Sequence, residues 1–325
     1  LRLSGMLRLS GEQRVALFFP TPDSRPPTPG GYGVVALGNF DGAHLGHQAV
    51  LRRAMEEGEE RGMRVIAATF DPHPRSVLKP GEAPGLLTTV EARRGLLLEF
   101  GVDEVAVIPF DRELSKKSPE EFVEEVLVGK LHANVVVVGE NFRFGHKAAG
   151  DVEALRSIMR SLGGEAVGVS VRESDGDISS TRIRELLGEG LVEEASKLLG
   201  RPYSLRGEVA LGDKRGRTIG FPTANVEPAR EVVVPAGGVY AGFARIDGKR
   251  WAACANIGIA PTFGERESRI EAHVIDFDED IYGKVIEVEF MRRIRGEKRF
   301  SGVEELVEQI ERDVEEARRI ADATI

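Results

Sequence analysis

Val34-Val35-Ala36-Leu37-Gly38-Asn39-Phe40-Asp41-Gly42-Ala43-His44-Leu45-Gly46-His47 reads as a buried strand, a glycine-rich turn and the start of a helix. Glycines let the backbone come close to a ligand, and free N–H groups at a helix start attract anions. A spacing of three puts His44 and His47 on one face of the first turn. A phosphate chain suits such a place, with both imidazoles aimed at charge that develops on a phosphate under attack. Two surface histidines would leave the glycines and the preceding strand unexplained. A zinc site is a poor fit, because no cysteine or second histidine pair lies nearby.

Working outward, the chain from Val34 alternates β-rich and helical patterns. Strands are expected at Val65–Phe70, Glu104–Phe110, Asn134–Val138 and Ala166–Val171. Helices are expected at Gln48–Arg61, Val90–Phe100, Pro119–Lys130 and Val152–Leu162. Nearly continuous apolar strands between amphipathic helices predict an α/β doubly wound parallel sheet, covered on both faces. Ligands of such sheets bind at the carboxyl ends of the strands. Gly38–His47, Asp71–Arg75, Pro109–Arg112 and Gly139–Gly150 all follow strands and should share one rim. Gly31-Tyr32-Gly33-Val34-Val35-Ala36 matches a dinucleotide fingerprint by letters, but its glycines precede a strand where they should follow one. Residues 1–33, with five prolines and three glycines from Pro20 to Gly33, read as a poorly structured extension with an edge strand at Arg14–Phe19.

Two helical patterns, Ser179–Leu187 and Val192–Leu199, precede a change of style at Gly200-Arg201-Pro202. Strand-like runs follow at Leu205–Leu211, Val239–Ile246, Arg250–Ile257, Arg269–Phe277 and Lys284–Met291, with no helical period between them. They predict an antiparallel β-barrel or sandwich, closed by an amphipathic C-terminal helix over Val303–Ile320. The expected division is an extension (1–33), a sheet domain (34–187), a linker (188–204) and a barrel domain (205–325).

The 325 residues carry a net charge of −9, with 41% hydrophobic and 30% charged residues. This acidic balance argues against a nucleic-acid partner or an anionic membrane surface, so any anionic substrate needs a local cationic cluster. No apolar stretch approaches the roughly 20 residues of a membrane span, and no basic-then-apolar leader opens the chain. A lone cysteine, Cys254, excludes an internal disulfide and reads as a small buried strand residue. A cytoplasmic protein is expected. The oligomeric state is not legible.

Ile178-Ser179-Ser180-Thr181-Arg182-Ile183-Arg184 opens a helix. Its hydroxyls can cap free N–H groups. Arginines are disfavoured at that positive end unless an anion occupies it. Together the two segments resemble the HxGH-type nucleotidyltransferases, in which such histidines and an Ile-Ser-Ser-Thr-x-x-Arg segment hold ATP. Gly38–Gly42, Phe70-Asp71-Pro72-His73-Pro74 and Gly139-Glu140-Asn141-Phe142-Arg143-Phe144-Gly145 narrow the likeness to the adenylyltransferase module of the prokaryotic bifunctional riboflavin kinase/FMN adenylyltransferases, the FAD synthetases. The resemblance implies ATP contacts from Gly38, Phe40, Asp41, Gly42, His44, His47, Ser180, Thr181 and Arg184. It implies catalytic roles for His44, His47 and Arg184, and FMN contacts from Asp71, His73 and Asn141. Many relatives carry Asp at position 141. His73 reads equally as a turn residue held by prolines.

Gly212-Asp213-Lys214-Arg215-Gly216-Arg217, leading into Gly220-Phe221-Pro222-Thr223-Ala224-Asn225, is basic and glycine-rich, which suits a triphosphate. Gly212, Lys214, Gly216, Arg217, Thr223 and Asn225 are the candidate kinase-side ATP contacts. Thr223 and Asn225 offer hard oxygens for Mg²⁺ shared with phosphates. With Gly238–Gly242, Asn256-Ile257-Gly258 and Arg269–His273, this region resembles the riboflavin kinase barrel. There the glutamate matching Glu271 is the base towards the ribityl hydroxyl; taken alone, Glu271 also reads as a cross-strand partner of Arg269. No Walker A sequence occurs. The resemblance therefore implies riboflavin, FMN and ATP as partners, FAD as product, and Mg²⁺ as cofactor. A nucleotidyltransferase acting on another phosphate monoester and a non-catalytic flavin-binding protein are the alternatives.

Overall fold

The computed structural model describes residues 33–170, 178–211, 219–262 and 265–324. The expected edge strand at Arg14–Phe19, and Gly212, Lys214, Gly216 and Arg217, lie outside the described residues.

Strand β1 (Gly33–Leu37) is buried along its whole length and is the middle of the sheet. Val35 and Leu37 enter the core on one face, and Val34 and Ala36 the core on the other. This two-sided burial is why the segment is apolar without alternation. Helix α1 (Leu45–Arg61), β2 (Val65–Asp71), α2 (Pro74–Leu78), α3 (Val90–Glu99) and β3 (Glu104–Pro109) follow. Then come α4 (Pro119–Phe122), which continues as a wider π-type coil over Val123–Val128, β4 (Ala133–Gly139), α5 (Val152–Ser161) and β5 (Glu165–Val169). All pairings are parallel, in the order β3-β2-β1-β4-β5. The chain steps outward from β1 in one direction and returns through β4 in the other. The loops after β1 and β4 therefore flank the crevice at which such sheets take ligands.

Helices α6 (Ser180–Glu189) and α7 (Val192–Leu199) come next, each closed by a left-handed glycine, Gly190 and Gly200. The stretch 188–204, expected as a linker, holds the helix expected at Val192–Leu199. Val192, Ala195 and Leu199 share one hydrophobic cluster with the barrel residues Tyr203, Tyr240 and Phe290. The apolar face of α7 is covered by the barrel, so Val192, Ala195 and Leu199 are core.

The barrel strands are β6 (Tyr203–Ala210), β7 (Ala224–Pro228), β8 (Gly238–Ile246), β9 (Lys249–Thr262), β10 (Glu265–Val274) and β11 (Val285–Arg295). They close antiparallel in the order β10-β7-β6-β11-β8-β9, which leaves no free edge. Strand β7 was not among the expected runs; its five residues alternate inward Ala224 and Val226 with outward Asn225 and Glu227. Helix α8 (Val303–Asp322) packs Ala317 and Ile320 over Val239, Ala241 and Cys254 on the barrel's outside. Cys254 is buried, and burial pushes its thiol up to about 12, as befits a packing residue.

Candidate functional site

The turn after β1 is held in an uncommon backbone. Phe40 and Ala43 have φ of +48° and +41°, a region non-glycine residues seldom enter without a local reason. It delivers His44 to the N-cap of α1, where Nδ1 accepts the His47 N–H at 3.3 Å. The two imidazoles stack with centroids 3.6 Å apart, and Phe40 meets His47 edge-on at 5.3 Å. Burial, aided by Arg184 and Arg201 against the pull of Asp41, lowers His44 to about 4. Burial, then His44 and Arg93, holds His47 well below its ordinary value. His47 Nδ1 is buried without a hydrogen-bond partner.

Both histidines line a cavity of about 950 Å³ at the carboxyl ends of the strands. Gly38, Phe40, Asn141, Ser179 and Ser180 line it too, so the loops after β1 and β4 and the start of α6 meet there as expected. Pro74 and Phe110 bring the turns after β2 and β3 to the same rim. Ser179 caps α6 by accepting the Arg182 N–H, and the Ser180 hydroxyl donates to the Asp41 carbonyl at 3.0 Å. The far wall is aromatic. Phe142 and Phe144 are parallel at 5.8 Å, Phe144 touches Phe122, and Phe110 stands edge-on to Phe70.

Other expected contacts sit outside the cavity lining. Asp41 is 1% exposed and works inward. It accepts N–H bonds from Leu87 and Thr88 at 3.0 Å each, and it binds the Arg184 guanidinium. Arg184 also donates from Nε to the Gly85 carbonyl at 2.6 Å. Its guanidinium is thus turned towards Asp41, a buried carboxylate that needs a cation. Gly42, at φ +79°, donates to Thr88 Oγ1 at 3.2 Å, and a Cβ there would stand 2.7 Å from Leu87. Thr181 is exposed. His73 caps α2 by accepting the Arg75 N–H, and burial lowers its pKa. Burial raises that of Asp71. Sequence reasoning missed Arg93, which is 1% exposed between Thr69, Phe70 and Asp41. Only its place in a helix of otherwise ordinary polarity was visible.

On the barrel, Ala224, Val226, Ile270, Ala272, Ala255 and Ile257 fill the interior. Their neighbours Asn225, Glu271 and Asn256 therefore face outward. Glu271 pairs in register with Asn225 on one side and Asn256 on the other. Directly opposed residues have Cβ atoms about 4.5–5.5 Å apart. Thr223 directly precedes β7, two residues before Asn225. His273 was given no role by sequence. Its Nδ1 lies 2.8 Å from the Pro222 carbonyl and its ring is edge-on to Phe221, which ties the approach to Thr223 onto β10.

Imidazoles and a capped helix start on a parallel sheet, and a carboxylate between amides on a closed barrel, describe a nucleotide-dependent transferase with two separate centres. Residues 30–182 match the family model described as FAD synthetase, and residues 199–321 the one described as riboflavin kinase. The bifunctional riboflavin kinase/FMN adenylyltransferase of Bacillus subtilis is 40% identical over 88% of this chain and 92% of its own. The enzyme of the same name from Escherichia coli is 38% identical over 88% of this chain and 91% of its own. A crystal structure titled macrolide-efflux protein, from Streptococcus pneumoniae, superposes with a TM-score of 0.82. It is 35% identical and covers 90% of this chain and 95% of that one. Among the described residues no helix is long and apolar enough to cross a membrane. The chain belongs to the family of bifunctional riboflavin kinase/FMN adenylyltransferases. It phosphorylates riboflavin with ATP to FMN, and adenylylates FMN with ATP to FAD and pyrophosphate.

Proposed function

We propose that adenylyl transfer takes place in the sheet cavity, with the ATP triphosphate between His44 and His47 on one side and the start of α6 on the other. The observation that carries this is the Ser180–Asp41 hydrogen bond of 3.0 Å, which ties the first residue of α6, a cavity-lining serine, to the turn that leads into α1. An FMN phosphate oxygen attacks the α-phosphorus, and the bond to the β-phosphate oxygen breaks as pyrophosphate leaves. The nucleophile is already an anion, so positioning and charge stabilisation suffice. The imidazoles donate N–H bonds to the charge that builds up on the α-phosphate. Ser180, Thr181 and the α6 amides take the leaving pyrophosphate, and Arg184, anchored to Asp41, adds positive charge beneath. The flavin ring lies against Phe142 and Phe144, with Asn141 at its polar edge. Asp71 and His73 shape the rim.

In the barrel, Glu271 takes the proton of the terminal ribityl hydroxyl as that oxygen attacks the γ-phosphorus of ATP. Thr223 and Asn225 supply hard oxygens on one face, a fit for Mg²⁺ held partly by protein and partly by phosphate. When bound, the ion would neutralise phosphate charge. Among the described residues no group of three or more His, Cys, Asp or Glu could hold a metal by itself. By its composition, basic and glycine-rich, the segment with Gly212, Lys214, Gly216 and Arg217 suits contacts to the triphosphate. ATP as substrate and one buried, unpaired Cys254 favour a cytoplasmic setting.

The test is a paired assay on the full chain. His44→Ala should lose FAD formation from FMN and keep FMN formation from riboflavin. Glu271→Ala should lose the second and keep the first. Loss of both reactions from either change in a folded protein would contradict the assignment.

A further inference from the structure

Between α2 and α3 the chain runs from Gly85 to Thr88 along the barrel and is hydrogen-bonded on both sides. Towards the barrel, Leu86 makes a parallel bridge with Val232. Its N–H donates to the Glu231 carbonyl at 2.7 Å, and its carbonyl accepts the Val233 N–H at 2.8 Å. The approach is close: a Cβ on Gly85 would stand 2.9 Å from Val233 Cγ2. Towards the sheet, Leu87 and Thr88 N–H groups bind the Asp41 carboxylate, and the Gly85 carbonyl accepts Arg184 Nε.

The barrel segment is itself fixed. The Tyr203 hydroxyl donates to the Val233 carbonyl and the Tyr240 hydroxyl to the Ala236 carbonyl. The Ala236 N–H donates to the Leu187 carbonyl at 2.9 Å, at the end of α6. Tyr203 is fully buried beside Leu87 and Leu199 in one cluster. An unbroken run of hydrogen bonds thus leads from barrel strand β6 through Val233, Leu86 and Asp41 to Ser180.

We propose that the barrel segment Glu231–Ala236 completes the adenylylation site. It is a positioning element. Through Leu86 and the Asp41–Arg184 pair it keeps the starts of α1 and α6 at the spacing a triphosphate needs. The proposal rests on the assignment of adenylyl transfer to the sheet cavity. Its physical warrant is that displacing a catalytic group by about 1 Å can cost about 100-fold in rate. The aromatic wall of the cavity, Phe142 and Phe144, is not part of this run.

Two full-length variants test it. Val233→Pro removes the N–H that Leu86 accepts, and Tyr203→Phe removes one hydroxyl while keeping the ring. kcat and KM for ATP and FMN in adenylylation are measured beside riboflavin phosphorylation and the melting temperature. Val233→Pro should lower the adenylylation kcat by about 10- to 100-fold. KM for FMN and the rate of phosphorylation should stay within about twofold, since neither the flavin end nor Glu271 is on the run. Tyr203→Phe should act in the same direction by a few-fold. An unchanged adenylylation kcat in Val233→Pro, or a parallel fall of both reactions, would overturn the proposal. If Val233→Pro does not fold, Tyr203→Phe decides, and the absence of a selective loss overturns it. His44→Ala runs alongside. If it spares adenylylation, the site assignment fails and takes the proposal with it. If it abolishes adenylylation while Val233→Pro changes nothing, the proposal alone fails.

Discussion

His44 joins three properties in one side chain: it caps α1, stacks on His47, and stays neutral because it is buried. Its folded-state pKa of about 4 lies below the 6.5 of an exposed histidine. As pH falls, the unfolded chain takes up the proton first. Stability is therefore fully present above about pH 6.5 and is lost as pH drops towards 4. The loss from this residue amounts to about 3 kcal/mol, a pKa difference of one unit being about 1.4 kcal/mol. Denaturant unfolding between pH 7 and 4 should show a shallower fall for His44→Gln than for the wild type. A triphosphate placed against the imidazoles reverses the balance, since nearby negative charge favours the imidazolium. ATP binding near pH 6 should accordingly take up protons, seen calorimetrically as a dependence of the heat on buffer ionisation. Heats that are independent of the buffer would put the phosphates elsewhere. For rate, removing the His44 donor should cost FAD formation about 100- to 1,000-fold, and Glu271→Ala should cost FMN formation about 100- to 10,000-fold.

At the scale of elements, the sheet was legible because burial on both faces leaves an apolar run that few other folds need. The start of α6 was legible because Ser179 sits where a cap belongs, whereas His44, expected in the first turn of its helix, is the N-cap that precedes it. Strand β7 was not, because its alternation spans only five residues and begins inside a Pro-Thr-Ala-Asn turn signal. The direction in which Asp41 and Arg184 face was not legible either. Sequence places both beside the phosphate motifs, whereas packing turns them towards each other. Nor does any local pattern announce Arg93, whose partners come from β2 and the turn before α3. Cutting one charge from this buried group has a large expected cost. Asp41→Ala leaves Arg93 and Arg184 without their carboxylate and two amides without an acceptor. Such a break costs about 3–5 kcal/mol. Chemical denaturation should show it, whereas a loss under 1 kcal/mol would mean that water replaces the carboxylate.

Over the whole molecule, two reactions that share FMN are carried by two architectures whose cores meet. Leu87 of the sheet side, α6, α7 and the barrel interior form one hydrophobic cluster. The boundary expected at 188–204 therefore falls inside packed structure, and no linker separates the halves there. Sequence could not show this, because a short amphipathic helix such as α7 reads the same whether its apolar face meets its own domain or the next. Independence of the chemistry survives this shared core: the Glu271→Ala protein, supplied with FMN, should still form FAD.

The account stands on where the triphosphate lies. A crystal structure of the full chain with FMN and a non-hydrolysable ATP analogue measures this directly. The expected result is an α-phosphate within hydrogen-bond distance of His44 and His47, with the terminal phosphates at Ser180 and the first amides of α6. A nucleotide whose phosphates approach neither imidazole would contradict it.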